Sequence, residues 1–327
     1  MNDLVLLLLG GVLLYFGAEW LVSGSSSLAL SLRIPKLLVG LTVVAYGTSA
    51  PEAVVGVQAA RTQHADIALG NVVGSNIANL GLILALSVLL RPARVSGVLR
   101  SREVPVLVLA TIALPVLLLD GRVSLPESAL LLGMAVVYTA WMVADARKRD
   151  RIAQATEAGL TAAAAADAAG GPTGSRQVGR SLGIALVGLL LLIAGGQLFV
   201  QSATALARSW GVSERIVGLT LVAIGTSLPE LATSLIASAK GHAEIAVGNV
   251  IGSNIFNVLL CLPASAIAGR VGAPLSAVAP DLAAMVSITF LGCLFLRSER
   301  QITRLEGAIL LLLYIAFLVG LSWSPGR

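Results

Sequence analysis

Charge is the first thing this chain is short of. Only 12% of its 327 residues are Asp, Glu, Lys or Arg, against 57% hydrophobic. No soluble core of this length conceals so much apolar surface, and a mean hydropathy of +0.91 points to a polytopic membrane protein. Aromatic residues are also scarce, at 4%, while glycines number 34, so the helices are expected to approach through small side chains rather than interlocking rings. The two cysteines, Cys261 and Cys293, lie in separate apolar segments without a partner motif. That excludes a disulfide framework or zinc site and leaves them as small apolar filler. There is no P-loop, hence no nucleotide-driven step. No basic segment precedes the first apolar run, which continues past Glu19 to near Leu30. A signal-peptide core is only about 7–15 residues, so this run reads as a retained first helix. Alternation of polar and apolar residues is missing as well, which excludes a membrane β-barrel.

What is present is a series of long apolar runs, and a spanning helix needs about 20 such residues. Spans are expected near residues 4–30, 37–60, 66–90, 103–119 and 126–145, then near 181–208, 216–239, 244–268, 275–297 and 303–321. The polar, Ala- and Gly-rich stretch 146–180 between the two sets reads as a flexible linker. The chain thus divides into 1–145, a linker, and 181–327.

The two sets are copies. GLTVVAYGTSAPE at Gly40–Glu52 returns as GLTLVAIGTSLPE at Gly218–Glu230, and IALGNVVGSNIAN at Ile67–Asn79 returns as IAVGNVIGSNIFN at Ile245–Asn257. Across 40–79 and 218–257, 23 of 40 positions are identical without a gap, at a constant offset of 178, the mark of a tandem duplication. Five spans is an odd number, so the second copy enters from the other side and the repeats are inverted. The fold expected is all-α, with ten transmembrane helices. The formal charge of +5 fits this reading, because with both termini outside, 16 of the 22 Lys/Arg fall in the inner loops and the linker. The positive-inside rule then makes the linker cytoplasmic, in a multi-pass protein expected in the cell (cytoplasmic or inner) membrane.

Glu52 and Glu230 interrupt otherwise apolar spans, with no basic residue nearby in either. A carboxylate at a helix centre is disfavoured by roughly 2.5–3.5 kcal/mol on insertion scales, and two such costs in mirrored positions point to a bound cation. Gly and Pro flank the Thr-Ser pair in both motifs, so a broken helix is expected there: Pro51 and Pro229 deprive the carbonyls of Gly47 and Gly225 of their donors, and the carbonyls of Ala45 and Ala223 lie close by. The third span of each set supplies a polar stripe, Asn71, Ser75 and Asn79 in one and Asn249, Ser253 and Asn257 in the other. Ser75, Asn79, Ser253 and Asn257 read as ligands, Asn71 and Asn249 as capping or packing residues near the span starts. Carboxylates, hydroxyls and amide and backbone carbonyls, with no Cys or His, imply a hard cation. Glu52, Glu230, Thr48 and Thr226 suit Ca2+, and one Ca2+, two Na+ or two protons would each neutralise the two glutamates. Glu19, opposite Gln197 in the other copy, and the aligned His64 and His242 read as peripheral and interfacial residues.

GTS-x-PE followed by GNV-x-GSNI, present twice, resembles the sodium/calcium exchangers of the cation/calcium exchanger superfamily, and the resemblance spans nearly the whole chain. It implies a central calcium site on Glu52 and Glu230 with backbone oxygens of Thr48 and Thr226. Flanking sodium sites would use Thr48, Ser49, Ser75 and the Ala45 carbonyl on one side, and Thr226, Ser227, Ser253 and the Ala223 carbonyl on the other. Asn79 and Asn257 would complete the middle of the site. Where some prokaryotic relatives carry Asp this chain has Asn257, one titratable carboxylate fewer. The function implied is exchange of Na+ for Ca2+ across the membrane, with those ions and the lipid bilayer as partners, no nucleic acid or nucleotide, no cofactor and no catalysis. H+/Ca2+ exchange through the same glutamates is the alternative, against which the hydroxyl-rich flanking positions argue. An intramembrane hydrolase would need a base beside Ser49 or Ser227, and none is in sight. In a passive channel, a carboxylate-rich site would hold Ca2+ too tightly for rapid flow.

Overall fold

Within lipid, backbone N–H and C=O groups have no water to turn to, so long apolar runs are forced into helices that satisfy themselves. In the computed structural model, which describes residues 2–32, 34–161, 175–210, 225–298 and 301–322, the helices follow the expected spans. They are α1 (Asn2–Ser31), α2 (Lys36–Arg61), α3 (Ala65–Leu90), α4 (Val104–Leu117) and α5 (Leu125–Thr161), then α6 (Ser175–Ser209), α7 (Leu228–Ala239), α8 (Ala243–Ala268), α9 (Leu275–Ser298) and α10 (Arg304–Ser322). Eight of them are long and apolar enough to cross a membrane. Of the other two, α4 is preceded by a π turn, Leu99–Glu103, that holds Arg100 and Arg102, and α7 spans Leu228–Ala239. Residues 211–224, Ala223 among them, lie outside the described residues.

Burial is inverted relative to a soluble protein. Val137 and Leu312 stand 69% and 65% exposed, whereas Glu52 and Glu230 are 1% and 0% exposed. The apolar exterior faces lipid, and the polar residues have been drawn inward. α3 and α8 are the most enclosed spans, and they lie in the main core with α2, α4, α5, α9 and α10. A second, smaller cluster joins α1 to α6. There the backbones nearly touch, since a Cβ on Gly17 would lie 2.8 Å from the carbonyl oxygen of Gly188, and one on Gly10 would lie 3.0 Å from that of Gly195. Under the offset of 178, Gly10 corresponds to Gly188 and Gly17 to Gly195, so this contact is its own image. The inverted repeat is therefore visible in the packing itself.

Two features depart from the sequence reading. The stretch 146–180, expected as a flexible linker, is helical through Thr161 and again from Ser175. Its Ala, Arg, Lys, Gln and Glu residues are strong helix formers, and they carry α5 on beyond its apolar run. The second departure is a short antiparallel pair, β1 (Ala93–Arg94) with β2 (Gln301–Ile302), which ties the connection after α3 to the connection before α10. Its mate under the repeat is a single bond on the opposite face, from Val123 N–H to the Val271 carbonyl at 3.0 Å.

Candidate functional site

The site begins where α2 breaks. Its helix runs through a π turn, Gly40–Val44, to Thr48, is interrupted at Ser49 and resumes at Ala50 with Pro51 in its first turn. Proline is tolerated at that position because the N–H it lacks has no helical partner there. The break leaves Glu52 in the first turn of a new helix, whose dipole favours a negative charge. The second copy repeats the arrangement, with Ser227 preceding α7 and Glu230 in its first turn. Neither serine caps its own helix. Each crosses to the other repeat instead: Ser49 Oγ donates to Glu230 Oε1 at 3.0 Å, and Ser227 Oγ donates to Glu52 Oε1 at 3.1 Å.

The third span of each copy completes the surround. Thr48 Oγ1 donates to Asn249 Oδ1 at 3.0 Å and Thr226 Oγ1 to Asn71 Oδ1 at 3.4 Å. Asn71 Nδ2 donates to the Glu52 carbonyl at 2.9 Å and Asn249 Nδ2 to the Glu230 carbonyl at 3.4 Å. Both asparagines thus do more than pack, and neither is a cap, because the N-cap positions belong to His64 and His242. They fasten the broken helices so that the glutamates stay in register across the repeats. Ser75 Oγ lies 3.3 Å from Ser227 Oγ, whose one proton goes to Glu52. Ser253 is wholly buried, and its hydroxyl makes no hydrogen bond of acceptable geometry. The Ala45 carbonyl accepts the helical N–H of Ser49 at 3.0 Å, which leaves one of its lone pairs.

One turn further along α3 and α8 stand Asn79 and Asn257, each the first residue of a π turn. Their nitrogens are taken up across the repeat interface, Asn79 Nδ2 by Asn254 Oδ1 at 3.0 Å and Asn257 Nδ2 by Asn76 Oδ1 at 3.2 Å. Asn76 and Asn254 were missed in the sequence reading, although GSNI stands unchanged in both copies. Besides the Ser253 hydroxyl, one carboxylate oxygen of each glutamate and one amide oxygen of each of these asparagines are buried with no hydrogen-bond partner: Glu52 Oε2, Glu230 Oε2, Asn79 Oδ1 and Asn257 Oδ1. Among the described residues no lysine or arginine pairs with either glutamate, and no cluster of three or more His, Cys, Asp or Glu exists. Cys261, read as filler, has its Sγ 3.8 Å from the Ser49 carbonyl at the break. Glu19, the presumed peripheral acid, pairs with Lys240, and His242 Nδ1 lies 3.1 Å from Lys36 Nζ.

The chain has relatives along its whole length. A model of the family described as sodium/calcium exchanger protein matches residues 2–144 and 180–323, one match to each copy. CaxA of Alkalimonas amylolytica is 39% identical over 96% of both chains. The inner membrane protein YrbG of Escherichia coli (strain K12) is 37% identical over 98% of this chain and 97% of its own. The structure of the sodium-calcium exchanger NCX_Mj soaked with Na+ and Ca2+ matches with a TM-score of 0.83 at 31% identity, covering 98% of this chain and 99% of that one. With its duplicated halves, its mirrored glutamates and relatives that match it end to end, this chain belongs to the sodium/calcium exchanger family.

Proposed function

We propose that this protein is a secondary active antiporter exchanging Na+ for Ca2+, with Glu52 and Glu230 as its central cation site. The observation that carries the reading is the pair of buried carboxylate oxygens, Glu52 Oε2 and Glu230 Oε2, neither of which has a donor. An unsatisfied polar group in a dry interior costs about 1–3 kcal/mol, more when charged, and a cation removes that cost for both at once. One Ca2+ or two Na+ balances the two charges, and ions that compete for the same oxygens cannot be bound together, which is the basis of coupled counter-transport. The name of the matched exchanger NCX_Mj points to the same ion pair.

The remaining ligands are assigned in mirrored sets. Thr48 and Thr226 contribute backbone oxygens to Ca2+. Thr48, Ser49, Ser75 and the Ala45 carbonyl hold Na+ on one side, and Thr226, Ser227, Ser253 and the Ala223 carbonyl hold it on the other. Asn79 and Asn257 close the middle. The density of hydroxyls favours sodium over protons as the counter-ion, because protons alone would need none of them. Both termini lie outside and the stretch between α5 and α6 lies in the cytoplasm.

The test is radiolabelled Ca2+ uptake into proteoliposomes loaded with Na+, choline or K+, or under an acid-inside gradient. Uptake with Na+ inside only is expected. Uptake driven by protons alone would overturn the coupling ion while keeping the glutamates, and no uptake under any gradient would overturn calcium exchange.

A further inference from the structure

We infer that Asn76 is a positioning residue: held by Met285, it turns the amide of Asn257 so that oxygen, not nitrogen, meets the bound cation. The inference rests on the cation site proposed above.

An amide differs from a carboxylate in having one oxygen and one NH2 group, and only the oxygen suits a cation. A carboxylate in that place would present an oxygen whichever way it turned. An asparagine must have its nitrogen occupied elsewhere. Asn257 Nδ2 does so by donating to Asn76 Oδ1 at 3.2 Å, which leaves Asn257 Oδ1 buried and free. That bond alone does not fix the direction. If both amides turned over, Asn76 would donate to Asn257 with the same number of hydrogen bonds, and the nitrogen of Asn257 would be released toward the cation.

The other end of Asn76 breaks the tie. Its Nδ2 faces Met285 Sδ at 3.8 Å, a weak acceptor buried to 0% exposure on α9. Turning Asn76 over would set its carbonyl oxygen against the sulfur, acceptor against acceptor. The chain of Met285, Asn76 and Asn257 thus runs through three helices, α9, α3 and α8, and has a single favourable direction.

The mirrored chain has no such lock. Asn79 Nδ2 donates to Asn254 Oδ1 at 3.0 Å, but the residue that corresponds to Met285 at the offset of 178 is Leu107, which offers no acceptor. Asn254 Nδ2 is accordingly buried without a partner. The amides of Asn79 and Asn254 are free to turn over together. In a site that is otherwise paired, one middle oxygen is fixed and the other is not.

The experiment is the Ca2+ concentration for half-maximal uptake in proteoliposomes, with thermal unfolding in detergent as the check on folding. Met285→Leu nearly conserves volume and gives the second copy the residue of the first. It is expected to raise half-saturation by about three- to tenfold, the span of one neutral hydrogen bond, with little change in maximal rate. Asn76→Leu is expected to do the same or more, and Leu107→Met to lower half-saturation by supplying the missing lock. Because Asn76 acts through Asn257, neither Met285→Leu nor Asn76→Leu should add to Asn257→Ala. Should Asn76→Leu fail to fold, Met285→Leu still decides. Unchanged half-saturation in Met285→Leu, full additivity with Asn257→Ala, or an Asn257→Ala variant with parental half-saturation would each overturn the positioning role while the parent continues to transport. A parent that takes up no Ca2+ under any gradient would overturn the underlying site.

Discussion

Glu52 and Glu230 owe their place in an apolar span to a chain of local effects. Pro51 and Pro229 stand in the first turns of new helices, the helix dipoles oppose the cost of the carboxylates, and Ser49 and Ser227 supply one donor each from the other repeat. One oxygen per glutamate is left over. Glu52→Gln or Glu230→Gln keeps the shape and removes the charge, so membrane insertion should persist while Ca2+ uptake falls by about a hundredfold, the scale of losing a charged partner in a buried site. Parental flux in either variant would remove the carboxylates from the transport step. These acids were legible in the sequence because a charge in an apolar run is an anomaly that needs a cause. Asn76 and Asn254 were not, because their role depends on a partner 181 or 175 residues away. Asn71 and Asn249 were read as capping or packing residues; neither caps, and the packing takes the form of a hydrogen bond from each to the backbone of a glutamate on the neighbouring helix.

Helix breaks could be read directly, because Gly, Pro and a Thr-Ser pair in the middle of an apolar run leave few alternatives. The π turns at Asn79–Leu84 and Asn257–Cys261 left no such trace. A π turn adds one residue to a helical turn without requiring any residue type, yet such turns are frequent at functional sites, and here each starts on a site asparagine. The reach of α5 and the β1–β2 pair were hidden for other reasons: polar composition suggested a linker, and a two-residue strand is too short to show a period. Close approach through small side chains, expected of the helices in general, is realised at the glycines of α1 and α6. Gly17→Val places a branched side chain where Gly188 O lies 2.8 Å from a Cβ. It is expected to destabilise by about 1–3 kcal/mol, read as a lower thermal unfolding midpoint in detergent, with Gly11→Val, where a Cβ meets nothing within 4 Å, as the comparison. Equal midpoints would mean that α1 and α6 are not in tight contact.

The duplication was the most legible property of the whole molecule, since a fixed offset of 178 relates the site residues and their hydrogen bonds in both copies. Orientation in the membrane can be tested without any transport measurement. Native Cys261 and Cys293 are 1% and 3% exposed, so an impermeant maleimide should report only introduced thiols. Ala165→Cys is expected to be labelled from the cytoplasmic side and Asp120→Cys from the outside; labelling of both from one side would refute the odd-numbered repeat.

The ties between β1 and β2 on one face and between Val123 and Val271 on the other have a mechanical consequence. Each joins a connection of the first copy to a connection of the second, so the two halves are riveted by main-chain hydrogen bonds at both rims. Neither rivet involves α1 or α6, whose closest packing is with each other.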